Sequence, residues 1–385
     1  MPLSIKCCKL IIMKGTPAIP SWTSVLKEKR AWVGLDGFID RIVQAVKIRQ
    51  GRGEHFEAYH SLAELGRRIA EASTCNLNVE LFKKFEKMGG NGPLLSNLLL
   101  NLGVQVHYTG TLGCPVHPLF AEFAKKTHAI SLGEPGITHA IECQDGKLLL
   151  GEMQSLDCVT RESFLQKKPV QAWVEEFSTA DVIAFQNWTM LYGMTDILRF
   201  IVSECLADIA LREQRIWFFD LADPSKRSPS DLGDFLTLLP PLSQRGKVYL
   251  ALNRSEAKIL GDIVGNPCPP FDLGSVHFKE WLCKLTERLS IDKVVFHCCE
   301  GAAAVQNKEV VCVPALKAKR LRCLSGSGDH FNGGFLCGCL MNFDLQRSLL
   351  LGHVSALLYI EEGTTPSCEL VQNYFNRLME ELYEK

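Results

Sequence analysis

The chain of 385 residues carries no surplus of either charge: 42 Lys and Arg stand against 43 Asp and Glu. Without a basic excess there is little to neutralise a phosphate backbone, so no nucleic-acid partner is expected. No apolar run reaches the about 18 residues that a membrane span needs. The opening "MPLSIKCCKLIIMKG" is too short and too interrupted for a secretory h-region. The 16 cysteines include no CxxC pair, and Cys7–Cys8 and Cys298–Cys299 are poorly placed to grip one tetrahedral zinc. These absences point to a reduced, cytoplasmic protein. Two phosphate-binding motifs are missing as well. There is no GxxxxGK[ST] loop, and no GxGxxG opens an N-terminal strand–turn–helix unit, so neither a P-loop enzyme nor a dinucleotide dehydrogenase is expected.

What the chain does have is an α/β rhythm. Residues 1–30, with "GTPAIPS", read as an irregular leader. "AWVGLDGFIDRIV" then gives a strand, a glycine turn and a second apolar run. "LAELGRRIAEA" has helical spacing, "MGGNGPLLSNLLLNLG" is a double-glycine turn and a leucine-rich helix ending at Gly103, and "VQVHYTGTLG" alternates as a strand. Asp145-Gly146 sits between two alternating runs, the sequence's clearest hairpin, either a flap over a site or an edge of the main sheet. Strands at 180–186, 215–224, 247–253 and 293–299 follow, with helices around 194–212 and 230–240 between the earlier ones. "EVVCVPAL" pairs alongside, and two or three helices fill 329–385. One extended parallel sheet covered on both faces accounts for this succession.

The most specific local feature is "CLSGSGDHFNGGFLCGCL" at 323–340. Gly326, Ser327 and Gly328 permit a close backbone turn, and a helix starting near Asp329 would point its free N–H groups back at it, forming an anion site. A plainer reading makes Ser325 or Ser327 an N-cap and Asp329 a favourable first-turn acid. Gly333, Gly334 and Gly338 each cost about 1 kcal/mol of helix propensity, which close packing against sheet or nucleotide would justify.

"CLSGSGDHFNGGF" resembles the C-terminal signature [DT]xxGAGDxFxxGF of the ribokinase-like sugar and nucleoside kinases, with Ser327 where alanine is usual. The resemblance covers about residues 30–370 and implies a three-layer αβα sandwich with a mostly parallel sheet and a small β lid. Residues 31–385 would be the kinase domain, with lid elements from 41–60 and 133–160. It implies Asp329 as catalytic base, Gly326–Gly328 as anion hole, and ATP with Mg²⁺ as co-substrates. "GFIDRI" resembles the strand end whose aspartate grips sugar hydroxyls, so Asp40 is the match, with Asp36 as competitor. The double glycine points to Gly89 and Gly90 at the acceptor. "ALNRSEAKIL" carries the family's NxxE element, implying that Asn253 and Glu256 support the metal–phosphate network, and "DPSKR" looks like its DPNxR strand end. His353 falls in the late helix that contributes to the adenine pocket.

Three departures stand beside these matches. Leu94 occupies the position of an asparagine that could contact the sugar, leaving Asn91 as the substitute. "FHCCEGAAAV" replaces the TLGxxG phosphate loop: His297, Cys299 and Ala302 stand for threonine and two glycines, and Gly301 is the remaining loop glycine. About fifty residues separate Asp40 from Gly89, longer than is common. The expected activity is ATP-dependent phosphorylation of a hydroxyl on a sugar or small polyol. A nucleoside acceptor, or a non-catalytic binding or regulatory protein on the same fold, is the alternative. The lid would offer a surface for a homodimer. His330, beside the expected base, points about 100° away on a helix and is read as packing.

Overall fold

Alternation along apolar strands builds the central layer. In the first strand Trp32 turns to one face while Ala31 and Val33 turn to the other. In the strand Ile216–Asp220, Trp217 and Phe219 oppose Ile216 and Phe218 in the same way. Both faces of the sheet are therefore covered by helices, as parallel sheets require. The computed structural model describes residues 22–383.

The strands in chain order begin with β1 (Arg30–Leu35), β2 (Phe38–Arg49), β3 (Phe56–Ala58) and β4 (Glu80–Gly89). Next come β5 (Gln105–Gly110), β6 (Ile130–Ser131), β7 (Gly136–Cys143), β8 (Gly146–Glu152) and β9 (Val182–Phe185). β10 (Ile216–Asp220), β11 (Lys247–Leu252), β12 (Lys293–Cys298), β13 (Gly301–Gln306) and β14 (Glu309–Pro314) complete the set. Nine of them form one sheet in the order β14-β13-β12-β11-β10-β9-β1-β5-β6, parallel except for the last hairpin. A second sheet runs β3-β2-β7-β8, with β4 on the side of β2. The chain winds outward from β1 in both directions, so the crevice between the C-terminal ends of β1 and β9 is the topological switch point, where open α/β sheets bind ligands. This is the αβα sandwich with a mostly parallel sheet and a small β layer that the resemblance implies.

Several local readings are corrected. The leader expected over 1–30 ends earlier: residues 22–26 form a helix whose Trp22 is fully buried, 5.4 Å from the Phe375 ring. Residues 1–21 of that leader lie outside the described residues. The helix around 194–212 closes at Cys205 through a π-helical turn. "EVVCVPAL" pairs not with the 293–298 strand but with β13, a strand of small residues ("GAAAVQ") that has no β-branched signature. β4, for which no strand was expected, carries exposed charged side chains and pairs along β2 over nine registers. The stretches 41–60 and 133–160 hold β3, β7, β8 and most of β2, and the long 41–88 interval supplies both β4 and the helix Leu62–Glu71.

The glycine-flecked helix Ser327–Leu340 owes its glycines to neighbouring helices, not to sheet or nucleotide: Gly333 to Asn91–Leu102, where a Cβ would stand 2.9 Å from Leu98 Cδ2, and Gly334 and Gly338 to Leu345–Glu362. A Cβ at Gly334 would stand 2.6 Å from the Leu351 carbonyl oxygen, and one at Gly338 would stand 2.7 Å from Ser348 Cα. The two backbones touch.

Arg215, 1% exposed, has no carboxylate partner and donates to four carbonyls instead: Ser178 (2.8 Å), Ala180 (3.1 Å), Ala210 (2.6 Å) and Arg245 (2.9 Å). It staples the N-terminal side of β10 to both neighbours. Arg215→Met leaves the buried Ala180 carbonyl and three less buried carbonyls without this donor, and is expected to cost about 2 kcal/mol, read as a lower urea midpoint at unchanged slope.

Candidate active site

Asp36 follows β1 directly and is fully buried. Its carboxylate accepts from the backbone N–H groups of Asn91 (2.8 Å) and Gly92 (2.9 Å) and from the Asn187 amide (3.1 Å). The Tyr108 hydroxyl donates to the Asp36 carbonyl and lies 3.3 Å from its Oδ1. The double glycine makes this approach possible. Gly90 sits at φ 100°, and a Cβ on Gly92 would stand 2.5 Å from the Tyr108 hydroxyl. Burial pushes Asp36 up to about 6 despite four hydrogen bonds that oppose it. Asp36 therefore starts the helix Asn91–Leu102 and has its acceptor capacity filled by the protein.

That helix start aims Asn91 at the expected base. Its Nδ2 donates to Asp329 Oδ1 at 3.0 Å. Asp329 lies in the first turn of the helix Ser327–Leu340, 6% exposed, behind a Gly326 at φ 93° that no side chain caps. A Cβ on Gly326 would stand 2.7 Å from Leu94 Cδ1, so the leucine that replaces the family's asparagine forms the floor under the turn. Burial first, then the charges of Asp220 and Asp36, hold the Asp329 carboxyl well above the usual carboxylate range. The plainer N-cap reading of Ser327 fails, since it is the first helical residue. His330 packs, as read: its Nδ1 lies 2.7 Å from the Gly326 carbonyl oxygen, its Nε2 lies 3.1 Å from Thr365 Oγ1, and its ring stacks on Tyr359.

Asp329 opens on a cleft of about 1740 Å³. Asn91, Asn253, Glu256, Gly326, Ser327, Gly328 and His353 also reach its wall. Asn253 and Glu256 cap the helix Arg254–Ile263 reciprocally, Asn253 N–H to Glu256 Oε2 at 2.7 Å and Glu256 N–H to Asn253 Oδ1 at 3.1 Å. Glu256 is 3% exposed, and burial with the charges of Asp220, Asp223 and Asp329 raises its pKa well above normal. His353 has no partner for its buried Nε2; burial and the nearby His297 lower its pKa to about 3. Gly301 is not on the wall. It is a glycine because a Cβ would stand 2.3 Å from the Val313 carbonyl oxygen across the β13–β14 hairpin. The neighbouring Cys298, Cys299 and Glu300 line the cleft instead, with Glu300 2.6 Å from Arg254.

Asp40 stands apart from this wall on β2 of the second sheet, opposite Lys87 of β4. Among the described residues it accepts no hydrogen bond; burial raises its pKa, and the fields of Lys87 and Lys147 oppose the rise. A Cβ on Gly89 would stand 2.5 Å from the Asp40 carboxyl carbon, so that glycine makes room for the acid. The two aspartates that compete in the sequence thus have opposite states, one saturated and one open.

Sequence reasoning missed Asn187, Asp220 and Asn332. Asp220 ends β10 and accepts from Asn332 Nδ2 at 2.9 Å, and Asn332 lies one helical turn beyond Asp329. The position of Asp220 at the exit of an apolar strand was the available signal. Among the described residues, the side-chain oxygens of Gln186, Asn187 and Asn332 are buried with no hydrogen-bond partner.

The sequence pattern of the prokaryotic ketohexokinase family matches residues 17–378. The chain belongs to that family. It is a sugar kinase, a phosphotransferase with a sugar hydroxyl as acceptor. It is 23% identical over 340 residues to a ketohexokinase of Haloferax volcanii, covering 88% of each chain. Among solved structures it is similar to the ribokinase of Cryptococcus neoformans in complex with ADP, with 15% identity, TM-score 0.62, and 90% and 99% of the two chains covered. It is also similar to a Methanocaldococcus jannaschii nucleoside kinase, at 12% identity, TM-score 0.60, and 91% and 98% coverage. These structural likenesses establish the ribokinase fold. Membership in an enzyme family sets aside the non-catalytic alternative, and a sugar-kinase family sets aside the nucleoside acceptor.

The contrast between the two aspartates of this ketohexokinase-family chain is testable by stability. Asp36→Ala leaves buried amides unpaired and is expected to cost at least about 2 kcal/mol. Asp40→Ala is expected to stay within about 1 kcal/mol of the parent. Denaturant titration of both variants measures the difference, and equal losses would refute it.

Proposed function

We propose that the protein transfers the terminal phosphoryl group of ATP to a primary hydroxyl of a ketose, with Asp329 as the base. The observation that carries this reading is the pairing of a buried, partnered carboxylate with an uncapped helix start, both opening on one cleft. Asp329, oriented by Asn91, takes the proton of the attacking hydroxyl. The oxygen–phosphorus bond then forms as the bridging bond to the leaving diphosphate breaks. The Ser327 N–H is held by the Leu324 carbonyl oxygen at 3.2 Å, so the N–H groups of Gly326 and Gly328 are left to face the negative charge of the group in transfer, which is where electrostatic stabilisation counts in this reaction.

Asp40 supplies the acceptor contact. Its open carboxylate can accept from two neighbouring hydroxyls, while Asp36 works through Asn91 as a positioning residue. The unpaired oxygens of Gln186, Asn187 and Asn332 suit a ligand rich in hydroxyl donors. The second sheet acts as the lid, bringing Asp40 to the cleft and excluding water. Its half-exposed Phe85 and Leu149 give the face by which two copies would pair.

The carboxylates of Asp220, Asp223 and Glu256 suit a hard divalent cation, because each raises the cost of ionising its neighbours. No three of the described side chains converge to hold an ion alone, so Glu256 and its neighbours would hold Mg²⁺ largely through water and phosphate. When bound, the cation supplies neutralisation of phosphate charge.

The reading is tested by ADP release from ATP–Mg with a panel of ketoses, aldoses and nucleosides. Release with none of the sugars would overturn it. With an accepted ketose, Asp329→Asn is expected to slow single-turnover transfer by about 10² to 10⁴, leaving nucleotide and ketose binding little changed. A rate within threefold of the parent would remove Asp329 as base.

The pH profile gives a second measure. A base whose pKa is raised must lose its proton to work, so kcat/KM is expected to climb as pH rises through that value. Asp220→Asn removes the first charged neighbour that raises Asp329, and the acid limb is expected to move to lower pH. A limb that stays in place would separate Asp329 from the titration.

A further inference from the structure

The strands of the second sheet neutralise nearly every cation they carry. Arg41 and Lys83 share Glu86, and Lys47 pairs with Glu57 and Glu64. Arg49 pairs with Glu80, Lys84 with Glu54 and Lys147 with Glu142. Lys87 is the exception: among the described residues no carboxylate lies within ion-pair distance of it. Its only hydrogen-bond contact there is Cys323 Sγ, 3.7 Å from Nζ.

The position of this exception matters. Lys87 is the direct cross-strand neighbour of Asp40, so both side chains leave the same face of the sheet. Cys323 lies three residues before Gly326, and the Cys323 thiol is 3.4 Å from the Tyr359 hydroxyl, which in turn donates to Ser325 O at 2.9 Å. The Lys87 charge is felt by Asp40 on its own sheet and by His330 behind the turn. Lys87 thus spans the gap between the lid and the 326–328 turn. A half-buried ammonium without an ion-pair partner is costly, and a sheet that pairs its other strand cations leaves this one, among the described residues, beside the segment that leads into the 326–328 turn.

We propose that Lys87 is the lid's ligand for a phosphoryl oxygen, its ammonium donating to the group presented at the 326–328 turn. This rests on the kinase reading above and adds a residue to it. Lys87 keeps its proton throughout; the bonds made and broken are those of the transfer, and the hydroxyl proton still goes to Asp329. Two sources could supply the oxygen, the terminal phosphoryl of the nucleotide or a phosphate carried by the acceptor. The contact with the segment leading into Gly326 favours the first. With it, closing the lid brings both the acceptor's carboxylate and a cation for the transferred group from one strand pair.

The test compares Lys87→Met and Lys87→Arg with the parent. Equilibrium binding of ADP and of the non-hydrolysable imido analogue of ATP is measured with Mg²⁺ and D-fructose present. For Lys87→Met, analogue affinity is expected to fall about tenfold while ADP affinity moves less than about twofold, with Lys87→Arg recovering most of the loss. In turnover, kcat is expected to fall with the KM for D-fructose within about threefold, as for a contact made to the group in flight. If the source is the acceptor, the analogue-to-ADP ratio stays put and the KM for D-fructose 6-phosphate rises about tenfold in Lys87→Met. If the ratio, kcat and both KM values are all unchanged, the proposal is overturned. A parent protein that binds neither nucleotide would overturn the kinase reading itself, and the role of Lys87 with it.

Discussion

The hydrogen bonds that converge on the Asp36 carboxylate join four parts of the chain at one point. The end of β1 supplies the acid, the helix Asn91–Leu102 supplies two backbone donors, the second residue after β9 supplies an amide and β5 supplies a tyrosine hydroxyl. Gly92, Asn187 and Tyr108 are buried and Asn91 is half-buried, so loss of the acid would leave buried donors unsatisfied. Because Asn91 is held by its own backbone in this cluster, its side chain meets Asp329 from a fixed direction. The geometry proposed for proton removal therefore depends on a carboxylate with no spare acceptor capacity for substrate.

Gathering carboxylates at the switch point has an energetic sign. The folded pKa values of Asp36, Asp220, Glu256 and Asp329 all lie above their ordinary values, mainly through burial. A carboxyl raised in the folded state favours folding when protonated. For Asp36 that contribution is full below about 4 and is lost as pH rises through about 6. Near neutrality the cluster works against the fold, and the aromatic core around Trp32, Trp173 and Phe177 offsets it with edge-to-face contacts at 5.2 to 6.5 Å. A bound cation would relieve the like-charge part of the same strain.

Much of this was legible in the residues. Continuous apolar runs in "IWFFD" and "KVYLAL" marked a sheet covered on both faces, and the glycines around Asp329 marked a turn with a buried helix behind it. What stayed hidden was of two kinds. β4 and β13 carry no strand signature because one is solvated by charged side chains and the other is built from alanine. The contest between Asp36 and Asp40 was also undecidable, since spacing shows which acids lie near a strand end but not which one the backbone has already claimed. The same blindness covers Gly301, whose lack of a side chain answers to the next strand across the hairpin. Lys87 was invisible for a related reason: an unpaired lysine is recognised only against the pairing of its neighbours.

The contact between the helices Ser327–Leu340 and Leu345–Glu362 has a consequence for how the cleft can respond to its contents. Where backbones touch at Gly334 and Gly338 there are no rotamers to adjust and no methylenes to compress. The first helix begins at the 326–328 turn, and the second carries His353 along the same cavity. Fused in this way, the pair behaves as a ruler of fixed length rather than a pair of jaws. A donor molecule has to match the interval between its two marks, and whatever gives way on binding must lie elsewhere in the chain.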